Sequence, residues 1–267
     1  MGFITGVQAT IDGVPCVRQF WIPDQAVASE GFCSRGAGGE FVDRGNSDWT
    51  CMVMAYGASP AKLPGATGTF KGSTREGNGW EGPFICGQVD IHWEIEQANL
   101  VYHYMQLLGN GELTMATNAL TDTGVPSPSA ARNYYMAVGG ADYSIRRAQL
   151  TIMDLTADYN DSATEGFTRR KSGNTRATFE FEAYFASPSE YPRRGTFQDL
   201  KFYADRAKTT FWRVQYGYIE ESTPMLSEAG EDGHAVGAFV RVKGKWSLTA
   251  GTSAGTITAP DGTIIWP

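Results

Sequence analysis

The sequence lacks the features that mark a membrane, secreted or nucleic-acid-wrapping protein. No apolar run approaches the ~20 residues that span a bilayer, and residues 1–13 contain no basic segment followed by a long apolar stretch. We therefore expect no membrane partner and no secretory signal. The net charge is −7 and there is no basic block. A protein that wraps nucleic acid tightly needs a cationic surface, so that class is disfavoured too.

Residues that bind metals or catalyse reactions are also scarce. The chain has three histidines, His92, His103 and His234, and none forms an H-x-H or H-x-x-x-H pair or lies at short ligand spacing from a cysteine. No G-x-S-x-G, Walker loop or G-x-G-x-x-G motif occurs in a strand-turn-helix context. We therefore predict no metal site, no cofactor and no catalytic residue.

The four cysteines do not form a framework that the whole chain shares. Cys16, Cys33, Cys51 and Cys86 all lie in the first half of the sequence. Structural disulfides belong mainly to oxidising compartments. We therefore predict free, partly buried thiols in a protein made in a reducing cytoplasm.

Two pairs of neighbouring carboxylates resemble the carboxylate pairs that catalyse glycoside hydrolysis. Glu94 with Glu96, and Glu180 with Glu182, would lie about 6.5–7 Å apart on one strand face, a separation that glycosidases use. Strands that face water produce Glu-x-Glu routinely, however. We therefore predict no enzyme activity, and interpret these residues together with Asp90 as acidic strand faces.

The chain does contain an internal repeat. Residues 55–64 (AYGASPAKLP) and 183–192 (AYFASPSEYP) are identical at six of ten positions, with a spacing of 128 residues. Residues 28–35 also resemble 163–170, with a spacing of 135, and the glycine-rich stretch 36–42 accounts for the difference. The pattern predicts one structural unit written twice, which favours a symmetric assembly.

A third block extends the repeat towards the end of each copy. Gly109, Leu113 and Thr114 match Gly244, Leu248 and Thr249, again with a spacing of 135. Three blocks in the same order are not expected by chance.

Alternating strands dominate both copies. Residues 88–96 and 178–185 alternate apolar and polar side chains with period two, the pattern of half-buried strands. Residues 148–153, 212–219 and 235–242 show shorter runs of the same kind. The side chains predicted to face inward are Val89, Ile91, Trp93, Ile95, Ala148, Leu150, Ile152, Phe179, Phe181, Ala183, Phe185, Trp212, Val214, Tyr216, Tyr218, Val236, Ala238, Val240 and Val242.

Two further segments have ambiguous patterns. Residues 100–108 are apolar on both parities, which predicts a strand covered on both faces. Residues 197–207 fit either a helix or a strand, and the corresponding first-copy segment favours the strand.

These patterns predict a mainly β fold made of two tandem antiparallel β-sandwich or barrel domains, each with at most one short helix. We place the first domain at 1–118, a polar, proline-bearing linker at 119–137, and the second domain with its C-terminal extension at 138–267. Residues 251–267 fit either an extra strand that docks on a neighbour or a tail.

Two glycine-rich or irregular segments are candidate contact surfaces. We interpret residues 72–82 and 222–234 as long tips in equivalent places of the two copies, either arms that reach a neighbouring subunit or mobile solvent loops. Trp80 and Trp246 are candidate exposed aromatic platforms.

The first copy contains a recognisable order of motifs. VQATIDGVPC (7–16) is followed by VRQFWI (17–22), NSDWTCMVMAY (46–56), LPGATGTF (63–70) and CGQVDIHWEIEQANLVYHYMQLLGNGELT (86–114). This order resembles the tail tube proteins of long-tailed bacteriophages. The resemblance covers about residues 3–114 and, through the repeat, about 141–250.

The resemblance implies a β-sandwich with a flanking helix, and inner strands that join between subunits. Rings of six such domains would stack into a tube that conducts double-stranded DNA. A two-domain chain would then close a pseudo-hexameric ring as a homotrimer. The implied partners are other copies of the chain, other tail proteins and passing DNA. The implied location is the virion tail, assembled in the host cytoplasm.

An acidic or neutral channel lets DNA slide, whereas a basic one holds it. On this hypothesis some of Asp90, Glu94, Glu96, Glu180 and Glu182 line the channel.

The second copy departs from the motif order. Arg176 and Ala177 stand where the first copy has Asp48 and Trp49, and KGKWSLT (243–249) replaces GNGELT. Three alternatives stay open. They are a baseplate hub or distal-tail ring, a two-domain carbohydrate-binding protein that uses Trp80 and Trp246, and a glycosidase.

Overall fold

The fold is that of a computed structural model. It describes residues 8–11, 17–22, 24–32, 40–73, 78–94, 100–117, 135–159, 166–225, 239–250 and 253–266. Below, the first half means residues up to 117 and the second half means residues from 135.

The described chain is mainly β, as predicted, and all its strand pairs are antiparallel. The first half contains β1 (Gln8–Ile11), β2 (Val17–Trp21), β3 (Asp24–Phe32), β4 (Glu40–Tyr56), β5 (Thr67–Ser73), β6 (Asn78–Glu94), β7 (Leu100–Gly109) and β8 (Thr114–Thr117). The second half contains β9 (Tyr135–Val138), β10 (Ala141–Tyr159), β11 (Arg169–Tyr184), β12 (Phe197–Tyr203), β13 (Phe211–Met225), β14 (Phe239–Trp246), β15 (Thr249–Ala250), β16 (Ser253–Ala254), β17 (Ile257–Thr258) and β18 (Ile264–Trp266).

The second half closes into a barrel. Its strands pair in the order β11, β14, β13, β12, β9 and β10, and β10 pairs with β11 again to complete the circle. The first half has the corresponding order β2, β4, β7, β6, β5 and β1. The second half also has a ladder between β9 and β10 at Ala141–Ser144, and the corresponding residues of the first half precede Val17 and lie outside the described residues.

The ladders confirm that one pairing scheme occurs twice. Val17 pairs with Ala55 between β2 and β4, and Ile145 pairs with Ala183 between β10 and β11. In both ladders the register then shifts by one residue. The long strand β10 is therefore the counterpart of β2 and β3 together.

The turn before β5 and the turn before β12 also match. Gly65 donates its N–H to the carbonyl oxygen of Cys86 at 2.7 Å, and Gly195 donates to Ile219 at 2.8 Å. Both glycines have positive φ, +85° and +81°, which L side chains rarely adopt. A bulge follows Cys86 in β6 and Ile219 in β13.

The two halves share a sheet. Strand β6 of the first half pairs with β10 of the second half, from Gln88 opposite Met153 to Glu94 opposite Arg147. This internal seam joins the two copies of the repeat side by side. The seam joins both halves into one continuous sheet. The predicted domain boundaries at residues 118 and 138 stay a prediction.

The halves also share one hydrophobic core. Trp93 stacks on Phe202 with ring centroids 5.5 Å apart, and its indole N–H donates to the carbonyl of Tyr203 at 3.0 Å. From the other side, Trp212 donates its indole N–H to the carbonyl of Ala58 at 2.7 Å. Both tryptophans are fully buried, so these contacts hold the halves together.

Most inward-facing predictions are confirmed, including Val89, Ile91 and Trp93, and residues 197–203 form strand β12. The predictions for Tyr216 and Tyr218 are wrong. Tyr216 has a φ of +61°, which interrupts the alternation, and Ile219 is buried in place of its neighbours. Ile95, Val236 and Ala238 lie outside the described residues.

The strand at 100–108 is covered fully on one face only. The odd-numbered residues from Val101 to Leu107 are buried, whereas Tyr102, Tyr104 and Gln106 are half-buried. The prediction of two covered faces is therefore wrong, since tyrosines supplied the apolar character of the second face.

Several predicted boundaries shift. Residues 135–137 belong to β9, so the predicted linker ends earlier, and 118–134 lie outside the described residues. Within 72–82, β5 and β6 are paired up to Ser73 opposite Gly79, so that segment is mainly ladder. Residues 222–225 belong to β13.

The two predicted tips are not equivalent, because 72–82 joins the counterparts of β12 and β13, whereas 222–234 joins β13 to β14.

Two repeat alignments change as well. Residues 28–32 lie in β3, before the turn, whereas 167–170 lie after it, so that block is not structurally equivalent. In the ladders Gly109 corresponds to Trp246 and not to Gly244, since they lie opposite the equivalent residues Phe84 and Gly217.

Helix is nearly absent from the residues that the structure describes. A single 3-10 turn, Pro188–Glu190, interrupts the described strands, so the flanking helix implied by the resemblance is not found in the described ranges. Residues 253–266 supply strands β16 to β18, and β17 docks on β13. The C-terminal segment therefore forms strands on its own chain, whereas docking on a neighbour stays a prediction.

Candidate functional surface

One face of the continuous sheet is polar across both halves. Strand alternation and direct pairing place these side chains on the face opposite the core, and we call the set the polar sheet face. Its members are Gln88, Asp90, His92, Glu94, Tyr102, Tyr104, Gln106, Arg147, Gln149, Thr151, Arg176, Thr178, Glu180, Glu182, Glu220, Glu221, Arg241, Lys243 and Lys245.

In the second half, Glu182 is the centre of an ionic cluster. Its carboxylate is bound by Arg147 and Arg241, with the Arg241 Nη2 atom 2.8 Å away, and Arg146 lies 4.0 Å from it. Only 5% of the Glu182 side chain is exposed. The three arginines come from β10 and β14, so the cluster ties together the strands on either side of β11.

Glu180 and Glu220 are paired as well. Glu180 lies 3.5 Å from Arg147 and from Arg241, and 3.6 Å from Lys243. Lys245 lies 2.6 Å from Glu220. The prediction of an acidic strand face is therefore wrong for the second half, because cations on the neighbouring strands neutralise these carboxylates.

In the first half the same face is aromatic and weakly acidic. His92 stacks on Tyr102 with ring centroids 4.9 Å apart, and Tyr104 packs edge-on against both rings. The Tyr102 hydroxyl donates to Glu94 at 2.8 Å, and Trp21 contacts Tyr104 at 6.4 Å.

Among the described residues, neutral side chains donate hydrogen bonds to the two first-half carboxylates of this face, Asp90 and Glu94. The Gln88 side-chain amide donates to Asp90 at 2.7 Å. Glu96 lies outside the described residues. The acidic contribution to the face therefore comes from Asp90 and Glu94.

The two described histidines lie on opposite faces of the sheet. Burial lowers the pKa of His92, and the nearby Asp90 and Glu94 oppose this effect. His103 faces the core, where its Nδ1 atom lies 2.8 Å from the carbonyl oxygen of Gly57. Burial lowers the pKa of His103 too. These positions do not form a metal site, and His234 lies outside the described residues.

No cluster of three or more metal-binding side chains occurs in the part of the chain that the structure describes. A depression of about 130 Å³ lies over the internal seam, lined by His92, Glu94, Arg147, Gln149 and Glu180. A second depression of about 250 Å³ shares Gln149 and Glu180 with it. Both are smaller than the roughly 300–1,000 Å³ of typical small-molecule sites. The sheet face is therefore better suited to a broad contact than to a bound small molecule.

An interaction that sequence reasoning missed joins the halves at one end of the seam. Arg170 is buried and pairs with both carboxylate oxygens of Asp48, while its Nε donates to Asp158 at 3.0 Å. The indole N–H of the buried Trp49 donates to the carbonyl of Gly111 at 2.9 Å. The sequence contains one sign of this interaction, namely that the first copy has Asp48 and Trp49 where the second copy has other residues.

The remaining sequence candidates have structural positions. Trp80 and Trp246 are half-buried and pack against the core, so the prediction that they are exposed is wrong. Cys51 and Cys86 are free and buried, as predicted, whereas Cys16 and Cys33 lie outside the described residues. Among the described residues no helix is long and apolar enough to cross a membrane.

Comparison of the sequence with protein-family models and with curated proteins gives no match.

Proposed function

We propose that the chain is a structural subunit of a long-tailed bacteriophage. In this proposal three copies form a ring, rings stack into the tail tube, and DNA passes through the tube without specific binding. Assembly takes place in the host cytoplasm, and the product is part of the virion tail. The observation that carries the proposal is the continuous sheet that joins two copies of one pairing scheme.

A ring needs a unit that repeats around an axis, and the internal seam supplies one step of such a repeat. Both copies contribute neighbouring strands to one sheet, with the shared core on one side and the polar sheet face on the other. A sheet that continues around a ring in this way would present the polar sheet face to a water-filled channel.

The charges on the polar sheet face fit a channel that does not hold DNA. The described face carries six carboxylates and five cations. They are Asp90, Glu94, Glu180, Glu182, Glu220 and Glu221, with Arg147, Arg176, Arg241, Lys243 and Lys245. A net charge near zero gives little attraction to phosphates, whose contacts dominate nonspecific DNA binding. The proposed lubrication thus comes from charge balance, not from a purely acidic lining.

Electron microscopy of the purified protein tests the proposal. We expect rings or stacked tubes with six similar lobes per ring and three chains per ring. Single rings that never stack would favour the baseplate or distal-tail alternative. A monodisperse monomer at every concentration would contradict both assembly proposals.

A carbohydrate-binding function is the second candidate, because the cluster of Trp21, His92, Tyr102 and Tyr104 places aromatic rings on a partly exposed sheet face. Glycan-array binding that is lost in Tyr104→Ala but kept in Tyr184→Ala would support it. Tyr104 is half-buried and Tyr184 is exposed, and both belong to the same continuous sheet, so Tyr184→Ala controls for the general effect of losing a tyrosine.

A further inference from the structure

The internal seam is a template for joining one chain to the next. In the repeat, β13 is the counterpart of β6, and β2 with the start of β3 is the counterpart of β10. We propose that residues 221–225 of one chain pair antiparallel with residues 21–25 of a second copy, in the register of the internal seam. This inference rests on the proposed function and specifies the contact on which it depends.

The register follows from equivalent positions in the ladders. The matching bulges after Cys86 and Ile219 make Gln88 the counterpart of Glu221, and His92 the counterpart of Met225. In the internal seam His92 lies opposite Gln149.

The other strand of the seam has its counterpart in the same way. The equivalence of Phe20–Val53 with Ala148–Phe181 makes Trp21 the counterpart of Gln149. Met225 of one chain therefore lies opposite Trp21 of the next, and Glu221 lies opposite Gln25.

Both edges are open within the described residues. Residues 221–225 pair with β14 alone, and Trp21, Asp24 and Gln25 pair with β4 alone. Unpaired strand edges attract further strands.

The exposure of these edges differs from that of their counterparts. Pro224 is exposed, whereas its counterpart Ile91 is fully buried beside β10. Ile22 is half-buried, whereas its counterpart Leu150 is fully buried beside β6. Pairing of the two edges would bury Pro224 and Ile22, just as the internal seam buries their counterparts Ile91 and Leu150.

The two edges differ from each other, so the contact is head to tail. Such a heterologous contact closes into a ring or continues as an open filament. Because each chain already contains one seam of the same kind, three chains would alternate three internal and three external seams. The external seam is the weaker one, because Pro224 and Pro23 fall in adjacent opposite pairs of the proposed ladder. Whichever of these pairs is the hydrogen-bonded one, one N–H donor is missing.

Disulfide crosslinking tests the register. Met225→Cys with Trp21→Cys places a cysteine at each side of the external seam. Directly opposite residues lie about 4.5–5.5 Å apart between Cα atoms, which suits a disulfide. The background carries Cys16→Ser and Cys33→Ser, and the buried Cys51 and Cys86 are retained.

Two matched variants control the experiment. His92→Cys with Gln149→Cys is the same pair in the internal seam and should crosslink within one chain. Met225→Cys with Gln19→Cys is shifted by two residues and should give about tenfold less product, because diagonal neighbours lie about 7–8 Å apart. We expect a covalent ladder of one, two and three chains for the in-register pair.

The outcomes separate this inference from the proposed function. Rings that form without in-register crosslinking, while the internal pair crosslinks, would overturn the seam and leave the function standing. Protein that stays monomeric would overturn both. A ladder that stops at two chains would contradict a head-to-tail contact. If the cysteine variants misfold, hydrogen exchange of the wild-type protein decides, since backbone amides in 21–25 and 221–225 should gain protection on assembly.

Discussion

Replacing Glu182 should destabilise the protein far more than replacing Glu94, although both carboxylates lie on the polar sheet face. Glu182 is almost fully buried and bound by Arg147 and Arg241. Glu182→Gln keeps the shape of the side chain but removes the buried charge that Arg147 and Arg241 share, and leaves them with Glu180 at 3.5 Å. Breaking a buried ion pair in this way costs about 3–5 kcal/mol.

The lower end of that range applies here. The side chains of Arg146, Arg147 and Arg241 are 28%, 47% and 32% exposed, so water screens part of the unpaired charge. We therefore expect a loss of about 3 kcal/mol in the free energy of unfolding. Glu94→Gln is the matched control, since Glu94 is half-buried and its amide replacement can still accept the hydrogen bond from Tyr102, so the loss should be about 1 kcal/mol.

Urea unfolding followed by tryptophan fluorescence measures both losses. The difference should persist at high salt, because buried pairs are screened much less than exposed ones. If the losses in free energy of unfolding of Glu182→Gln and Glu94→Gln differ by less than about 1 kcal/mol, the ion pairs of Glu182 do not stabilise the sheet as argued above.

Three further outcomes are expected from the same structure. Trp93→Ala should cost about 3–5 kcal/mol and lower one shared unfolding transition, and two separate transitions would contradict a common core. Burial lowers the pKa of His103, so the stability is fully present above its unfolded value of about 6.5 and falls as the pH drops towards the lower folded value. His103→Gln should flatten this slope in urea titrations at pH 5–7, and an unchanged slope would show that another group causes it. Burial raises the pKa of Cys86 to about 12 and also raises that of Cys51. Neither of these two thiols should therefore react with a maleimide until the protein unfolds. Mass spectrometry that locates rapid labelling at Cys51 or Cys86 in the native protein would refute this.

The alternating strands could be predicted because period-two patterning decides which face of a strand is buried. Residues 88–94 and 178–185 alternate without interruption, and their core faces were correctly predicted. The pattern failed at Tyr216, where a bulge with positive φ shifts the alternation by one residue. A bulge depends on the partner strand, so local sequence gives little sign of it.

The composition of the polar sheet face was harder to predict than its position. Glu182 looked like a solvent carboxylate within its own strand, and its arginine partners are 35 residues earlier and 59 residues later in the chain. Only the register of β10 and β14 against β11 brings these charges together. The same reason hid the pair of Asp48 and Arg170, which are 122 residues apart.

The repeat was visible wherever turns need particular residues, as in 55–64 and 183–192. It was misaligned at 28–35 and at Gly109, since short matches of glycine and polar residues recur in many turns. Ladder positions and shared bulges give the correct equivalences, because they depend on backbone pairing and not on residue identity.

A cryo-electron microscopy map of the assembled protein tests the central claim most directly. The account predicts three chains per ring, with residues 221–225 of each chain beside 21–25 of the next, in the register that joins β6 to β10 within a chain. Rings of six chains, or a map in which those two edges face solvent, would contradict it.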